Sequence, residues 1–249
     1  MESSTDALAR LGEVTIPARF NGPATSANGG YACGALARFV GEPADVTLRT
    51  PPPLDRPLAV VTGEDEAVRM LDGETLVAEA RPAELPPLEP PLRPSFEQAL
   101  ESRARHPAIG VRHPLSDCFV CGPDRADGLH VSPGPLDAEA DIGAAPFEPD
   151  ESFAEDGVVL PEVVWAALDC PSYVPSMWNG GDMGSGGISL LGRLTAERLR
   201  DVEVGERLAV VGWPLDRDGR KSHTATAIVD SDGEIVARAM ATWIELRPS

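Results

Sequence analysis

The second half of this chain repeats the first, in order, and that repeat restricts the folds open to it more than any single motif. Pro57-Leu58-Ala59-Val60-Val61 returns as Arg207-Leu208-Ala209-Val210-Val211. Asp72-Gly73-Glu74-Thr75-Leu76-Val77-Ala78 returns as Asp232-Gly233-Glu234-Ile235-Val236-Ala237-Arg238. Each copy follows one plan: an aromatic residue (Phe20 or Phe153), a loop, an apolar helical run, several strands, and an Asp-Gly turn into a last strand. Such a chain is expected to build two copies of one supersecondary unit.

The helical runs are predicted at Asn28 to Val40 and Pro161 to Asp169. In the first, Tyr31, Ala35, Leu36 and Phe39 fall at helical spacing, while Cys33, Gly34 and Ala37 keep the other faces small or apolar, the pattern of a buried helix. In the second, Pro161 suits the first helical position, where its missing N–H is no loss, and Pro171 stops the helix. Strands are predicted at 45–50, 57–63, 66–71 and 75–81 in the first copy, and at 187–199, 206–213, 221–230 and 234–246 in the second. Asp72-Gly73 and Asp232-Gly233 mark hairpins, since glycine accepts the positive φ of a tight turn. Six prolines between Arg81 and Pro94 read as an extended spacer. The expected organisation is a first unit at 1–81, a linker at 82–117 and a second unit at 118–249.

Charge narrows the partners. Against 21 Lys+Arg stand 40 Asp+Glu, a formal net charge of -19 that repels nucleic acid and anionic membrane surfaces. The polar, acidic Met1 to Arg10 lacks the apolar run of a secretory signal, and no stretch has the length of a membrane span. Four cysteines (Cys33, Cys118, Cys121, Cys170) in 249 residues do not make a disulfide scaffold. The expectation is a cytoplasmic, reduced protein.

A buried helix wrapped by an antiparallel sheet is the hotdog arrangement, and a fused pair resembles the double-hotdog acyl-CoA thioesterases. That resemblance implies an α+β, double-hotdog fold, a pseudo-dimer of two sheets each wrapping a central helix. The start Asn28-Gly29-Gly30-Tyr31 is similar to the phenylacetate-pathway branch of these enzymes, whose helix begins His- or Asn-Gly-Gly and carries Leu-Ala-Asp seven residues after the second glycine. Here the pattern is divided. The first copy has Asn28-Gly29-Gly30 but Ala37 where the Asp belongs; the second has Leu168-Asp169 but Leu160-Pro161-Glu162 in place of the glycine turn.

In such families the site lies between the two units, so the resemblance implies one composite site of Asn28, Gly29 and Gly30 with Asp169. Gly29 or Gly30 would donate its N–H to the thioester oxygen, Asn28 would orient substrate or water, and Asp169 would be base or nucleophile. The competing readings are a solvated helix-end role for Asp169 and a packing role for the two glycines. Tyr31 and Trp165 are candidate substrate contacts, although residues of this kind are more often core than ligand contacts. The implied substrate is an acyl-CoA; coenzyme A enters as part of it, with no separate cofactor, and further pairing of pseudo-dimers stays open.

Cys118-Phe119-Val120-Cys121-Gly122-Pro123 followed by Gly128-Leu129 is similar to a leader found in many hotdog thioesterases, with Arg125 where an Asn is usual. As a metal motif it is half a set. His113 and His130 lie nearby, but no second Cys-x-x-Cys follows, so no metal is expected. Arg217, Arg220 and Lys221 form a basic turn; Arg220 and Lys221 are candidate contacts for coenzyme A phosphates, the alternative being a solvated hairpin tip. The glycine-rich run Gly180 to Gly187 lacks the Gly-Lys-Ser/Thr of a phosphate loop and reads as a flap or turn. No Gly-x-Ser-x-Gly elbow supports a serine hydrolase. The leading function is an acyl-CoA thioesterase, against a noncatalytic acyl or acyl-CoA binder on the same scaffold. A hydratase would need an acid or His pair at the helix start, and a repressor a DNA-binding segment; neither is found.

Overall fold

The computed structural model describes residues 9–63, 65–107, 109–110, 112, 115–123, 125–179 and 189–246. The first half runs β1 (Ala9–Thr15), α1 (Gly29–Ala37), β2 (Ala44–Leu48), β3 (Pro57–Thr62), β4 (Val68–Asp72) and β5 (Thr75–Pro82). Helix α2 (Phe96–Arg103) and strands β6 (Gly134–Asp137), β7 (Ile142–Phe147), β8 (Ala154–Glu155) and β9 (Val158–Val159) follow. Then come α3 (Pro161–Asp169), the short α4 (Pro175–Asn179), β10 (Ser189–Arg198), β11 (Leu208–Asp218), β12 (Lys221–Val229) and β13 (Ile235–Glu245).

Eleven strands form one antiparallel sheet in the order β1-β3-β4-β5-β2-β10-β13-β12-β11-β7-β6, with β8 and β9 as a separate hairpin. Counting outward from the centre, each half repeats one sequence of pairings. β2-β5-β4-β3-β1 on one side corresponds to β10-β13-β12-β11-β7 on the other, and the halves meet where β2 pairs antiparallel with β10. Strand β6 has no counterpart and lies beyond β7 at the edge. The Asp-Gly turns are hairpins as expected: Gly73 (φ 60°) leads β4 into β5, and Gly233 (φ 79°) leads β12 into β13.

Helices α1 and α3 pack against each other and against strands of the sheet. α1 is buried over Gly30–Ala37 and α3 over Glu162–Asp169, which explains their lack of a polar stripe. The helices run antiparallel. A Cβ built on Gly30 would lie 2.6 Å from Asp169 Cβ and 2.7 Å from the Trp165 carbonyl; one on Gly34 would lie 2.7 Å from Glu162 Cα. Two glycines one turn apart thus let the backbones approach more closely than alanine would permit. At the far end of the pair, Arg38 binds the buried Glu162 carboxylate at 3.0 Å.

Both helices lie where the sequence places them, α1 ending three residues early in turns over Arg38 to Val40. The 82–117 segment expected as linker contains α2, started by a full capping box in which Ser95 and Gln98 serve each other's backbone N–H. Among the described residues no helix is long and apolar enough to cross a membrane.

Candidate functional site

The site begins with the entry into α1. Asn28 is the N-cap: its Oδ1 accepts from the Tyr31 N–H at 2.9 Å, satisfying one of the donors a helix start leaves unpaired. That bond orients the amide, so its Nδ2 points across the helix pair and donates to Asp169 Oδ2 at 3.0 Å. The Gly30 N–H donates to the same oxygen at 2.9 Å. The N–H of Gly29 has no hydrogen-bond partner among the described residues, and Gly29 lines a cavity of about 550 Å³ together with Asn28 and Asp169.

Asp169 is fixed by the end of α3. Beyond it Cys170–Ser172 form a 3₁₀ turn that Pro171 prevents from continuing as α-helix. The Ser172 hydroxyl donates to the Asp169 carbonyl at 2.6 Å and accepts from the Trp243 indole N–H at 2.9 Å, tying the turn to β13. The carboxyl is 3% exposed, and its Oδ1 has no hydrogen-bond partner among the described residues. Burial lifts its pKa to about 7, against the pull of the Gly30 and Asn28 hydrogen bonds and with the help of nearby Cys118 charge. An acid at a helix C-terminus is disfavoured by that helix's own dipole, and here the start of α1 supplies the compensating donors.

The cavity is mostly apolar. Leu48 of β2 and Leu191 of β10 flank the central seam of the sheet, and Trp243 and Ile244 of β13 form a further wall. Cys118, Cys121 and Cys170 also line it, with their sulfurs all within 4.8 Å of one another and those of Cys118 and Cys170 4.0 Å apart. Hydrogen bonds from the other two thiols hold Cys118 well below the usual thiol range, while donating to Cys118 raises Cys121 and Cys170.

The structure brings together Asn28, Gly29, Gly30 and Asp169. It does not bring Tyr31 or Trp165 to the cavity. Tyr31 stacks on Phe20 with ring centroids 4.2 Å apart and meets Phe119 edge-on. Trp165 is fully buried between the helices and donates its indole N–H to Glu42 at 2.8 Å. Both side chains fill the core, where apolar volume and one satisfied polar tip are the stronger demand. Arg220 and Lys221 are exposed at the start of β12, outside the lining but against its rim: Lys221 pairs with Ile244, and Arg220 donates to the Glu245 carbonyl at 3.0 Å. Among the described residues the Lys221 ammonium has no ion pair, whereas Arg217 is bound to Glu245 at 2.6 Å.

Arg125 takes a structural part, donating to the Arg19 carbonyl at 2.7 Å and to Asp127. His113 and Gly180 to Gly187 lie outside the described residues. The sequence reading did not join Cys170 to Cys118 and Cys121. The available signal was a third cysteine directly after the candidate acid, at the end of a helix whose neighbour it had to meet.

No protein-family model matches the sequence, and no curated protein matches it. Solved structures do resemble it over nearly the whole chain. A TesB protein from Mycobacterium avium subsp. paratuberculosis aligns over 98% of both chains with a TM-score of 0.57 at 14% identity. A putative thioesterase II from Thermobifida fusca aligns over 98% of this chain and 97% of its own, with a TM-score of 0.57 at 15% identity. A hotdog-fold protein of unknown function from Alicyclobacillus acidocaldarius aligns over the same shares with a TM-score of 0.52 at 13% identity. Over nearly its full length, then, this chain has the α+β hotdog fold found in these thioesterase-named structures.

Proposed function

We propose that the chain is a double-hotdog acyl-CoA thioesterase with one working site, assembled from the start of α1 and the end of α3. The observation that carries the reading is the convergence of Asn28 Nδ2 and the Gly30 N–H on Asp169 Oδ2, beside an apolar cavity. The mirrored strand order supports two fused units about a pseudo-two-fold axis. The division at 1–81 and 118–249 fits that order, since each range holds one of the two paired helices, α1 or α3, with five corresponding strands; the second range also carries α4, β6, β8 and β9.

The chemistry follows from which groups are engaged. With Oδ2 held, Oδ1, which has no hydrogen-bond partner among the described residues, accepts a proton from water as the water oxygen bonds to the thioester carbon. The carbonyl oxygen, becoming negative, is stabilised by the Gly29 N–H and the positive end of the α1 dipole. Collapse breaks the carbon–sulfur bond, and the departing thiolate takes the proton back from Asp169, leaving carboxylic acid and free coenzyme A. The acyl chain occupies the space beside Leu48 and Leu191, and the coenzyme A phosphates leave past Lys221 and Arg220, a local positive rim on an acidic protein. The symmetry-related end has no such site: Glu162 stands where a glycine would, closed by its ion pair with Arg38.

A noncatalytic acyl-CoA binder is the second reading, favoured by the fact that Asp169 already caps α1. Release of free thiol from a panel of acyl-CoA thioesters separates the two. Turnover that falls by about 10²- to 10⁴-fold in Asp169→Asn supports the enzyme; tight binding of acyl-CoA without turnover in the wild type supports the binder.

A further inference from the structure

The cavity wall carries a cluster that the proposed hydrolysis does not use. Cys118 and Cys121 have the two-residue spacing with which a tight loop presents a pair of sulfurs to one metal ion. That loop is rigidly held. Phe119 N–H donates to the Asn21 carbonyl at 3.0 Å, Leu129 N–H to the Phe119 carbonyl at 2.7 Å, Val131 N–H to the Val120 carbonyl at 2.8 Å, and the Ser132 hydroxyl to the Cys121 carbonyl at 2.8 Å. Cys170 arrives from elsewhere in the chain, delivered by the 3₁₀ turn after α3.

We propose that Cys118, Cys121 and Cys170 form a binding site for a thiophilic divalent cation of the zinc class, with its fourth coordination position on the cavity side. Zinc with four tetrahedral ligands and metal–sulfur bonds of about 2.3 Å requires sulfur–sulfur edges of about 3.8 Å. The Cys118–Cys170 edge is already 4.0 Å, and no pair exceeds 4.8 Å. All three thiols are buried and none is in a disulfide, so the ligands are present without a backbone rearrangement. A second observation points to the same place. Asp169, the neighbour of Cys170, keeps Oδ1 buried and without a hydrogen-bond partner among the described residues while lining the same cavity. A cation held by the three sulfurs gives that oxygen a partner of opposite charge.

The test uses the full chain, stripped with chelator and kept reduced with a phosphine. Cobalt(II) is added as the probe. One equivalent is expected to produce the near-ultraviolet thiolate-to-cobalt charge-transfer band and the visible bands of tetrahedral cobalt, and zinc to displace it. Cys170→Ser is expected to weaken binding by at least about tenfold through loss of one of three thiolates, whereas Cys33→Ser, a buried thiol outside the cluster, leaves it unchanged. No charge-transfer band at one equivalent, or a band unaltered in Cys170→Ser, overturns the proposal. Because a substitution here could disturb folding, the wild type supplies an independent check. Stoichiometric zinc is expected to slow alkylation of Cys118, Cys121 and Cys170 in mapped peptides, and equal rates with and without zinc overturn the site. Neither readout depends on turnover. Hydrolysis without cobalt bands sinks only the metal site, and cobalt bands without hydrolysis by the stripped protein sink only the thioesterase reading.

Discussion

The N–H of Gly30 donates to the carboxylate of Asp169 at 2.9 Å although 139 residues separate them in the chain. The contact exists because glycine is the residue through which α1 and α3 can approach: any side chain at position 30 would meet Asp169 Cβ and the Trp165 carbonyl. Helix packing and the Asp169 hydrogen bond therefore depend on the same glycine. Gly30 both lets the helices pack and donates to Asp169, while the Gly29 N–H has no hydrogen-bond partner among the described residues.

Gly30→Ala is expected to force the helices apart and cost about 1–3 kcal/mol, the usual range for overpacking a tight core. Gly34→Ala meets Glu162 Cα at 2.7 Å and should cost a similar amount at the opposite end of the pair. Urea melts check both. Thioesterase activity, measured where each variant is still folded, should fall much further in Gly30→Ala than in Gly34→Ala.

Asp169 links stability to pH in a direction set by its raised pKa. Its ordinary value is 3.8 and its value in the fold is about 7, so between these limits the folded state holds the proton more tightly than the unfolded chain. Its contribution to stability is full below about 4, declines as pH rises to about 7, and is constant above. Asp169→Asn keeps the neutral form at every pH. The melting temperature of this variant relative to wild type should therefore increase from pH 4 to pH 8; a pH-independent difference would show that the carboxyl is not shifted upward.

Activity should follow the opposite sign, because the base must be ionised. In chelator-stripped protein, kcat/KM is expected to rise with pH and level off above about 7. Asn28→Ala removes a hydrogen bond that favours the charged carboxylate, so its inflection should move to higher pH. It also removes the α1 cap, at a cost of about 1 kcal/mol. A pH–rate profile of the two proteins checks the shift.

Reversing the charges of the basic rim, in Arg220→Glu with Lys221→Glu, is expected to raise KM for acyl-CoA several-fold and to leave kcat nearly unchanged. Short acyl-pantetheine thioesters, which lack the nucleotide phosphates, should show no such change, and added salt should shrink the difference.

Much of this arrangement was legible in the sequence because the repeat preserves strongly patterned elements. Both central helices, the Asp-Gly hairpins and four strands of each half, β2 to β5 and β10 to β13, follow from apolar spacing and turn chemistry. Strand β1 escaped notice because six of its seven residues are exposed or half-exposed and so give no alternating pattern. Strand β7 carries Gly143 and Pro146, which read as breakers, yet it is buried throughout against β11. Helix α2 was announced by Ser95 and Gln98 at capping-box spacing, a signal obscured by the prolines before it. Asn28, Gly29, Gly30 and Asp169 could be named from a divided motif. The approach of Cys170 to Cys118 could not, since 52 residues of chain separate them and only the docking of the α3 terminus on the cysteine loop joins them. Tyr31 and Trp165 illustrate the converse: aromatic residues beside a motif need not line the cavity.

A crystal structure with a non-hydrolysable acyl-CoA analogue tests the composite site most directly. The carbonyl oxygen is expected within hydrogen-bond distance of the Gly29 N–H, the carbonyl carbon facing Asp169 Oδ1, and the nucleotide beyond the Lys221 rim. An analogue bound with its carbonyl at the Arg38–Glu162 end, or anywhere out of reach of both Gly29 and Asp169, would contradict it.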